Sequence, residues 1–319
     1  MTSTTGKIAL LCSGQAGQRS GMLDELLGNP RHNELSQLAS DLLGQDVCSW
    51  WRSLGEDEIY ANSRAQFTIA LYQLATWDAI RDLLPKPALV AGYSLGEVAA
   101  CYVAGALNRR ETLRIIRERA RLMDLATAQL RPGRGAMMLW RYDDVPERRM
   151  RRDAMMAALG IDTAIVRGSG EVVLSGRDDA VHRLLDHFSP TNPSLVRLPV
   201  AVPSHSRHLA GAVEPLRRFI LEGECAAPAV PLLSSLSGQR ITSREGVAEA
   251  LSAQLASTVR WDLCMAAMAR AAIDTVIELG PGTDLARLLM REYPHIRVCS
   301  VDEFPCLSRF ETWLEEHQA

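Results

Sequence analysis

Continuous apolar runs that end in glycine-rich turns recur along the chain, separated by stretches whose apolar residues return every three or four positions. "KIALLCSGQAG" (7–17) reads as a strand entering a turn, and "ALVAGYSLGEVAACYVAGAL" (88–107) as a strand, a turn and then a helix. Between them, "RAQFTIALYQLATWDAIRDLL" has helical spacing and leads through Pro85 and Pro87 into the next strand, while "RRETLRIIRERARLMDLATAQL" predicts an amphipathic helix dense in arginine. Most of those arginines read as a solvated face. In an open parallel sheet, ligands bind at the carboxyl ends of strands, so the turns near Gln15 and Ser94 are expected to converge on one site.

After Gly133 the rhythm changes. "GAMMLW" predicts a strand, "VPERRMRRDAMMAALG" a helix, "DTAIVRG" and "EVVLSG" two strands about a glycine turn, "DDAVHRLLDHF" a helix and "SLVRLPV" a strand. That β-α-β-β-α-β order is a ferredoxin-like unit. The expected fold is α/β: a large hydrolase-like domain with a parallel-sheet core, formed by residues 1–129 and 199–319, and a small inserted ferredoxin-like α+β subdomain over 130–198. "DTVIELGPGTDLARLLM" closes the large domain with another strand, turn and helix.

Composition narrows the function classes. With 319 residues, 47% hydrophobic and 23% charged, the chain can bury a sizeable core, and its net charge of -3 offers no general attraction to nucleic acid or an anionic membrane. No stretch of about 18 apolar residues suggests a bilayer span, and the N-terminus lacks the pattern of a signal peptide, so the expected location is cytoplasmic. The seven cysteines are scattered without C-x-x-C spacing, which argues against a disulfide framework or a zinc site; they read as mostly core thiols.

Ser94 lies in a G-x-S-x-G pattern between the predicted strand and helix. The pattern alone is weak, since a glycine-flanked turn serine arises often by chance. Its strand-turn-helix setting favours a nucleophile elbow, where the sharp turn exposes the hydroxyl and the helix N-terminus faces a developing oxyanion. A serine needs a base, usually histidine. His32, His295 and His317 fall in polar or terminal segments and His182 and His187 on the subdomain helix, so all five read as surface residues. In "VPSHSRHLA", His205 sits where a strand gives way to a helix and is favoured over His208.

"GYSLGE", "SGQAGQRSGM", "NSRAQFTIALYQL", "RARLM", "VPSH", "QLASTVRW" and "ELGPG", in this order, resemble the malonyl-coenzyme A:acyl carrier protein transacylase family over residues 8–300. The resemblance implies Ser94 as the acyl-accepting nucleophile and His205 as its base, with an oxyanion hole from the backbone N–H groups of Leu95 and Gln15. Such preorganised donors are worth roughly 3 to 4 kcal/mol each. It also implies that Arg119 pairs bidentately with a malonyl carboxylate, that a backbone carbonyl near Gln254 orients the histidine, and that Gln66 lines the site. For Gln66 the alternative is a helix-surface amide. Malonyl-coenzyme A is the implied substrate and an acyl carrier protein bearing a phosphopantetheine arm the implied partner, with no permanently bound cofactor and no metal.

Two departures stand out: Tyr93 replaces the histidine usual before the serine, and Arg167 or Gly168 replaces a common asparagine. Tyr93 and the ending "SVDEFPCLSRFETWLEE" resemble the epsilon subunit of malonate decarboxylase, which implies further decarboxylase subunits as partners. A stand-alone transacylase of fatty-acid or polyketide synthesis is the runner-up. A serine α/β-hydrolase would need an acidic residue between serine and histidine, nominally Asp162, Asp178 or Asp179. A non-catalytic scaffold that binds a carrier protein is the remaining alternative.

Overall fold

In a computed structural model, which describes residues 6–130, 134–142, 145–188 and 195–318, the first strand, β1 (Ile8–Cys12), is buried along its whole length. Sequence readings that touch residues 1–5, 131–133, 143–144 and 189–194, and the side chain of His317, lie outside the described residues. Ile8, Leu10 and Cys12 enter one core cluster, and Ala9 and Leu11 enter another. Successive side chains of a strand face opposite ways, so an unbroken apolar run suits a strand covered on both faces.

Helices α1 (Asp24–Gly28), α2 (Asn33–Leu43), α3 (Val47–Ser53) and α4 (Asn62–Ile80) precede β2 (Leu89–Gly92), which leads into α5 (Gly96–Val103) and α6 (Arg109–Ala128). Next come β3 (Gly135–Arg141), α7 (Pro146–Leu159), β4 (Asp162–Gly168), β5 (Glu171–Arg177), α8 (Asp178–Phe188) and β6 (Leu195–Arg197). The chain continues through α9 (Ala210–Glu222), β7 (Leu232–Leu233), β8 (Arg240–Ile241), α10 (Arg244–Ala253), β9 (Val259–Arg260) and α11 (Trp261–Arg270). It ends with β10 (Thr275–Glu278), α12 (Asp284–Glu292), β11 (Arg297–Ser300) and α13 (Leu307–Gln318).

The larger sheet has the order β11-β10-β1-β2-β7-β8 and is parallel except at β8, which runs antiparallel to β7. Cys12 pairs in register with Gly92, so the turns after β1 and β2 leave the sheet side by side. One face packs on α4, α5 and α6; the other meets the smaller sheet, with Ala91 and Tyr93 in one cluster with Met137, Leu139 and Val173. The smaller sheet has the order β6-β3-β5-β4-β9, and its first four strands carry the ferredoxin-like pairing. Its fifth strand, β9, comes from beyond residue 198 and pairs parallel with β4, at Ile165↔Val259 and Val166↔Arg260.

Two local findings go beyond the sequence reading, and the second corrects it. α4, read from the sequence only as a helix, is buried on nearly every side from Ala65 to Ile80, where it packs against α1, α5 and α6. His32, expected at the surface, is buried in a short turn beside Asp78 and Arg109, and that burial lowers its pKa. Among the described residues no helix is long and apolar enough to cross a membrane.

Candidate active site

The turn after β2 is built on two close approaches. A Cβ on Gly92 would stand 2.2 Å from the Glu97 amide nitrogen, and one on Gly96 would stand 2.1 Å from the Cys12 carbonyl oxygen. Neither position admits a side chain. Between them Ser94 adopts φ 56°, a left-handed conformation that costs a non-glycine residue about 1–3 kcal/mol. A glycine would adopt it without strain, so the hydroxyl is held at this turn at an energetic cost. The next residue, Leu95, is the N-cap of α5, and amides at a helix start lack intrahelical partners.

His205 follows the turn at Pro203 and Ser204, is 2% exposed, and is itself left-handed at φ 59°. Its Nε2 lies 2.6 Å from Ser94 Oγ and its Nδ1 lies 2.5 Å from the Gln254 carbonyl oxygen. A carbonyl only accepts, so Nδ1 carries the proton and Nε2 offers its lone pair to the serine O–H. Burial, then the positive charge of Arg119, lowers the pKa of the ring to about 3, against the opposing pull of the Gln254 carbonyl. His208 stands in the turn before α9, and among the described residues His205 is the histidine bonded to Ser94.

None of the three nominal acids reaches this ring. Asp162 accepts from the Arg207 amide at 3.0 Å, Asp179 from Arg177 Nε at 2.9 Å, and Asp178 from Arg197.

Ser94, His205 and Gln15 line one cavity of about 230 Å³ whose opposite wall is apolar, with Met137, Leu139 and Val200. Of the four described non-glycine residues with positive φ, three (Ala16, Ser94 and His205) line it, so backbone strain is concentrated here. Arg167 lines the cavity too, held by Glu171 at 2.6 Å and Asp284 at 2.7 Å. Its guanidinium lies 5.7 Å from the centre of the Tyr93 ring, and that ring packs edge-on against Trp261 at 5.3 Å.

Arg119 and Gln66 are not among the residues that line this cavity. Both are buried, Gln66 completely, which rules out a helix-surface amide. Gln66 Oε1 accepts from Arg119 Nη1 at 2.6 Å, and Gln66 Nε2 donates to Asn62 Oδ1 at 2.7 Å. Among the described residues no carboxylate forms an ion pair with Arg119, its Nε has no hydrogen-bond partner, and burial lowers its pKa to about 10. Gln254 is fully buried, and its side chain donates to Glu97.

Two residues escaped the sequence reading. Asn62 opens α4 one turn before Gln66 and also accepts from Gln15 Nε2 at 3.4 Å, joining the first turn to the Arg119 pocket. Only its i,i+4 spacing from Gln66 could have flagged it. Glu97 lies three residues after Ser94, immediately beyond the second glycine of the elbow motif.

Comparison with known proteins bears on what this arrangement does. A family described as "Acyl transferase domain" matches residues 9–302. The malonyl CoA-acyl carrier protein transacylase of Salmonella typhimurium is 26% identical over 95% of this chain and 98% of its own. The polyketide biosynthesis protein ThaF of Burkholderia thailandensis is 30% identical over 90% of this chain, which spans only 24% of that longer protein. Among solved structures, a malonyl-transacylase in complex with its type II polyketide synthase acyl carrier protein superposes with a TM-score of 0.87 at 25% identity, covering 98% of this chain and 100% of the other. The family match runs through both sheets and every cavity residue described above, so the chain belongs to the acyl transferase domain family and is an acyltransferase.

Proposed function

We propose that the protein transfers a malonyl group from coenzyme A to the phosphopantetheine thiol of an acyl carrier protein through an acyl-Ser94 intermediate. The observation that carries the choice of acyl group is Arg119: a buried cation with no carboxylate bonded to it among the described residues. A buried charge offset only at a distance, by Glu97, is costly, and an entering carboxylate would supply a direct partner by displacing Gln66 Oε1.

In the first half-reaction Ser94 Oγ attacks the thioester carbonyl while His205 Nε2 takes its proton. The oxyanion forms against the Leu95 and Gln15 amides. The C–S bond then breaks and His205 returns the proton to the departing thiolate. In the second half, the carrier-protein thiol gives its proton to His205 and attacks the acyl ester, and Ser94 leaves with that proton. The His205 bond to the Gln254 carbonyl keeps Nε2 facing the serine through both halves.

A stand-alone transacylase of fatty-acid or polyketide synthesis is favoured over a malonate decarboxylase subunit, and the names of the relatives support that order. The decarboxylase reading rested on Tyr93 and the C-terminal tail, and both contribute side chains to the packed interior. Tyr93 fills the space between Trp261 and Arg167, and Phe310 and Leu314 of α13 are buried in the main core. The decisive experiment mixes the protein with radiolabelled malonyl-coenzyme A and then with candidate carrier proteins. Label must appear first on Ser94 and then on a carrier; absence of an adduct on Ser94 would sink the proposal.

A further inference from the structure

Glu97 is completely buried, yet its carboxylate is fully engaged. Oε1 accepts from the Ser235 amide at 2.8 Å, and Oε2 accepts from Ser235 Oγ at 2.6 Å and from Gln254 Nε2 at 2.8 Å. All three contacts donate to one carboxyl group, an arrangement that suits a carboxylate. Its surroundings tie together segments remote in sequence: α5, which starts behind the nucleophile, the loop after β7, and the end of α10. Arg119 attracts it electrostatically as well.

Gln254 is the point of interest, because it faces both ways. Its side-chain amide is held by Glu97, and its backbone carbonyl holds His205 Nδ1. Gln254 is also the C-cap of α10, where helical restraint ends and a side-chain anchor has most influence on where the carbonyl points. We propose that Glu97 is a positioning residue for the base, its carboxylate fixing Gln254 so that the carbonyl of Gln254 holds His205 against Ser94. The carboxylate of a Ser-His-acid site is thereby replaced by a carboxylate acting at one remove, through a glutamine. The reading rests on the Ser94 and His205 roles proposed above. It does not depend on which acyl group is transferred.

The test uses the full-length protein and a fluorophosphonate probe, which reacts with an activated serine by losing fluoride and needs no malonyl group. Second-order labelling rates are compared for the wild type, Glu97→Gln, Gln254→Met and the double variant, with Ser94→Ala as the unlabelled control and thermal melting to verify folding. Each single substitution should slow labelling about tenfold or more, and the double variant should be no slower than the slower single one, since both cut the same relay. Labelling of either single variant within twofold of wild type overturns the proposal, and so do losses that multiply in the double variant, which would mark Glu97 as a separate structural support. If Glu97→Gln does not fold, Gln254→Met, which removes only the side-chain amide, decides by the same twofold criterion. A wild type that reacts with the probe but takes no malonyl group would refute the substrate assignment while leaving the relay tested.

Discussion

His205 Nδ1 and the backbone carbonyl oxygen of Gln254 are 2.5 Å apart, so the imidazole beside Ser94 is oriented by the main chain. A main-chain carbonyl cannot take the proton from Nδ1 and carries only a partial negative charge. It fixes the tautomer and ring plane while doing less than a carboxylate would to stabilise an imidazolium at this position.

Replacing the acids that a hydrolase triad would require should therefore leave the chemistry intact. Asp162→Ala, Asp178→Ala and Asp179→Ala each remove an ion pair with an arginine on the protein's outer side. Acyl transfer is expected within about threefold of wild type in all three, since exposed pairs contribute roughly 0–1 kcal/mol. Collapse of transfer in any of them would restore the hydrolase reading.

Ser94→Ala should abolish the acyl adduct seen by intact-mass measurement while the protein stays folded. His205→Ala should slow acylation by about 10²-fold or more, the usual scale of a general base. A near-normal rate in the histidine variant would move the role to His208.

Arg119→Ala should weaken malonyl transfer by a few kcal/mol and leave acetyl transfer nearly unchanged, because only the malonyl group brings a carboxylate to the buried guanidinium. Arg119→Lys should recover part of the loss, an ammonium being unable to reproduce the planar fork. Competition between malonyl- and acetyl-coenzyme A reads the result; equal losses would reduce Arg119 to a packing residue.

Gly96→Ala and Gly211→Ala should move stability in opposite directions. The first drives a methyl group to 2.1 Å from the Cys12 carbonyl oxygen, and a loss of about 3 kcal/mol or more is expected. The second lies in α9 with nothing within 4 Å of the added carbon, and a gain of up to about 1 kcal/mol should follow. Urea unfolding of the two variants checks the contrast.

Acid stability tests the burial of His205. Its pKa falls from 6.5 in the unfolded chain to about 3 in the folded one, so between those values the unfolded state binds the proton more readily. The contribution of neutral His205 is therefore complete above pH 6.5 and declines as pH drops towards 3. Glu97 and Glu278, both raised to about 7, favour the folded state as pH falls, but they are common to both proteins in a comparison with His205→Asn. Relative to wild type, that variant should gain stability between pH 7.5 and pH 5. A difference in melting temperature that does not change with pH would contradict it.

The strands and their turns were legible because each carries its own signal. β1 and β2 are apolar runs that stop at serine or glycine, β10 is a short β-branched run just ahead of a glycine-proline turn, and β3 to β6 announce themselves by order. Ser94 and His205 were legible through the local backbone they need, a turn between glycines and a strand-to-helix corner. The rest depends on partners distant in sequence. Nothing in "VR" at 259–260 says that it will join β4, and nothing near His32 says that Asp78 and Arg109 will fold over it. Gln66 and Glu97 are ordinary helix residues until α6 and α10 close around them, and burial of a polar side chain is a tertiary property.

The two-residue strand β9 has a consequence for how the protein can come apart. Besides its ladder to β4, the Thr258 hydroxyl donates to the Thr163 carbonyl at 2.8 Å, and the Arg260 amide donates to the Ser235 carbonyl at 2.7 Å. The outermost strand of the smaller sheet is thus a stitch from the larger body. Cut out of its gene, the stretch from β3 to β6 would expose the unprotected margin of β4 to any other chain able to add a strand. In the intact molecule the same stitch ties the two sheets together, and amide exchange in β4 and in β2 is expected to slow and quicken together.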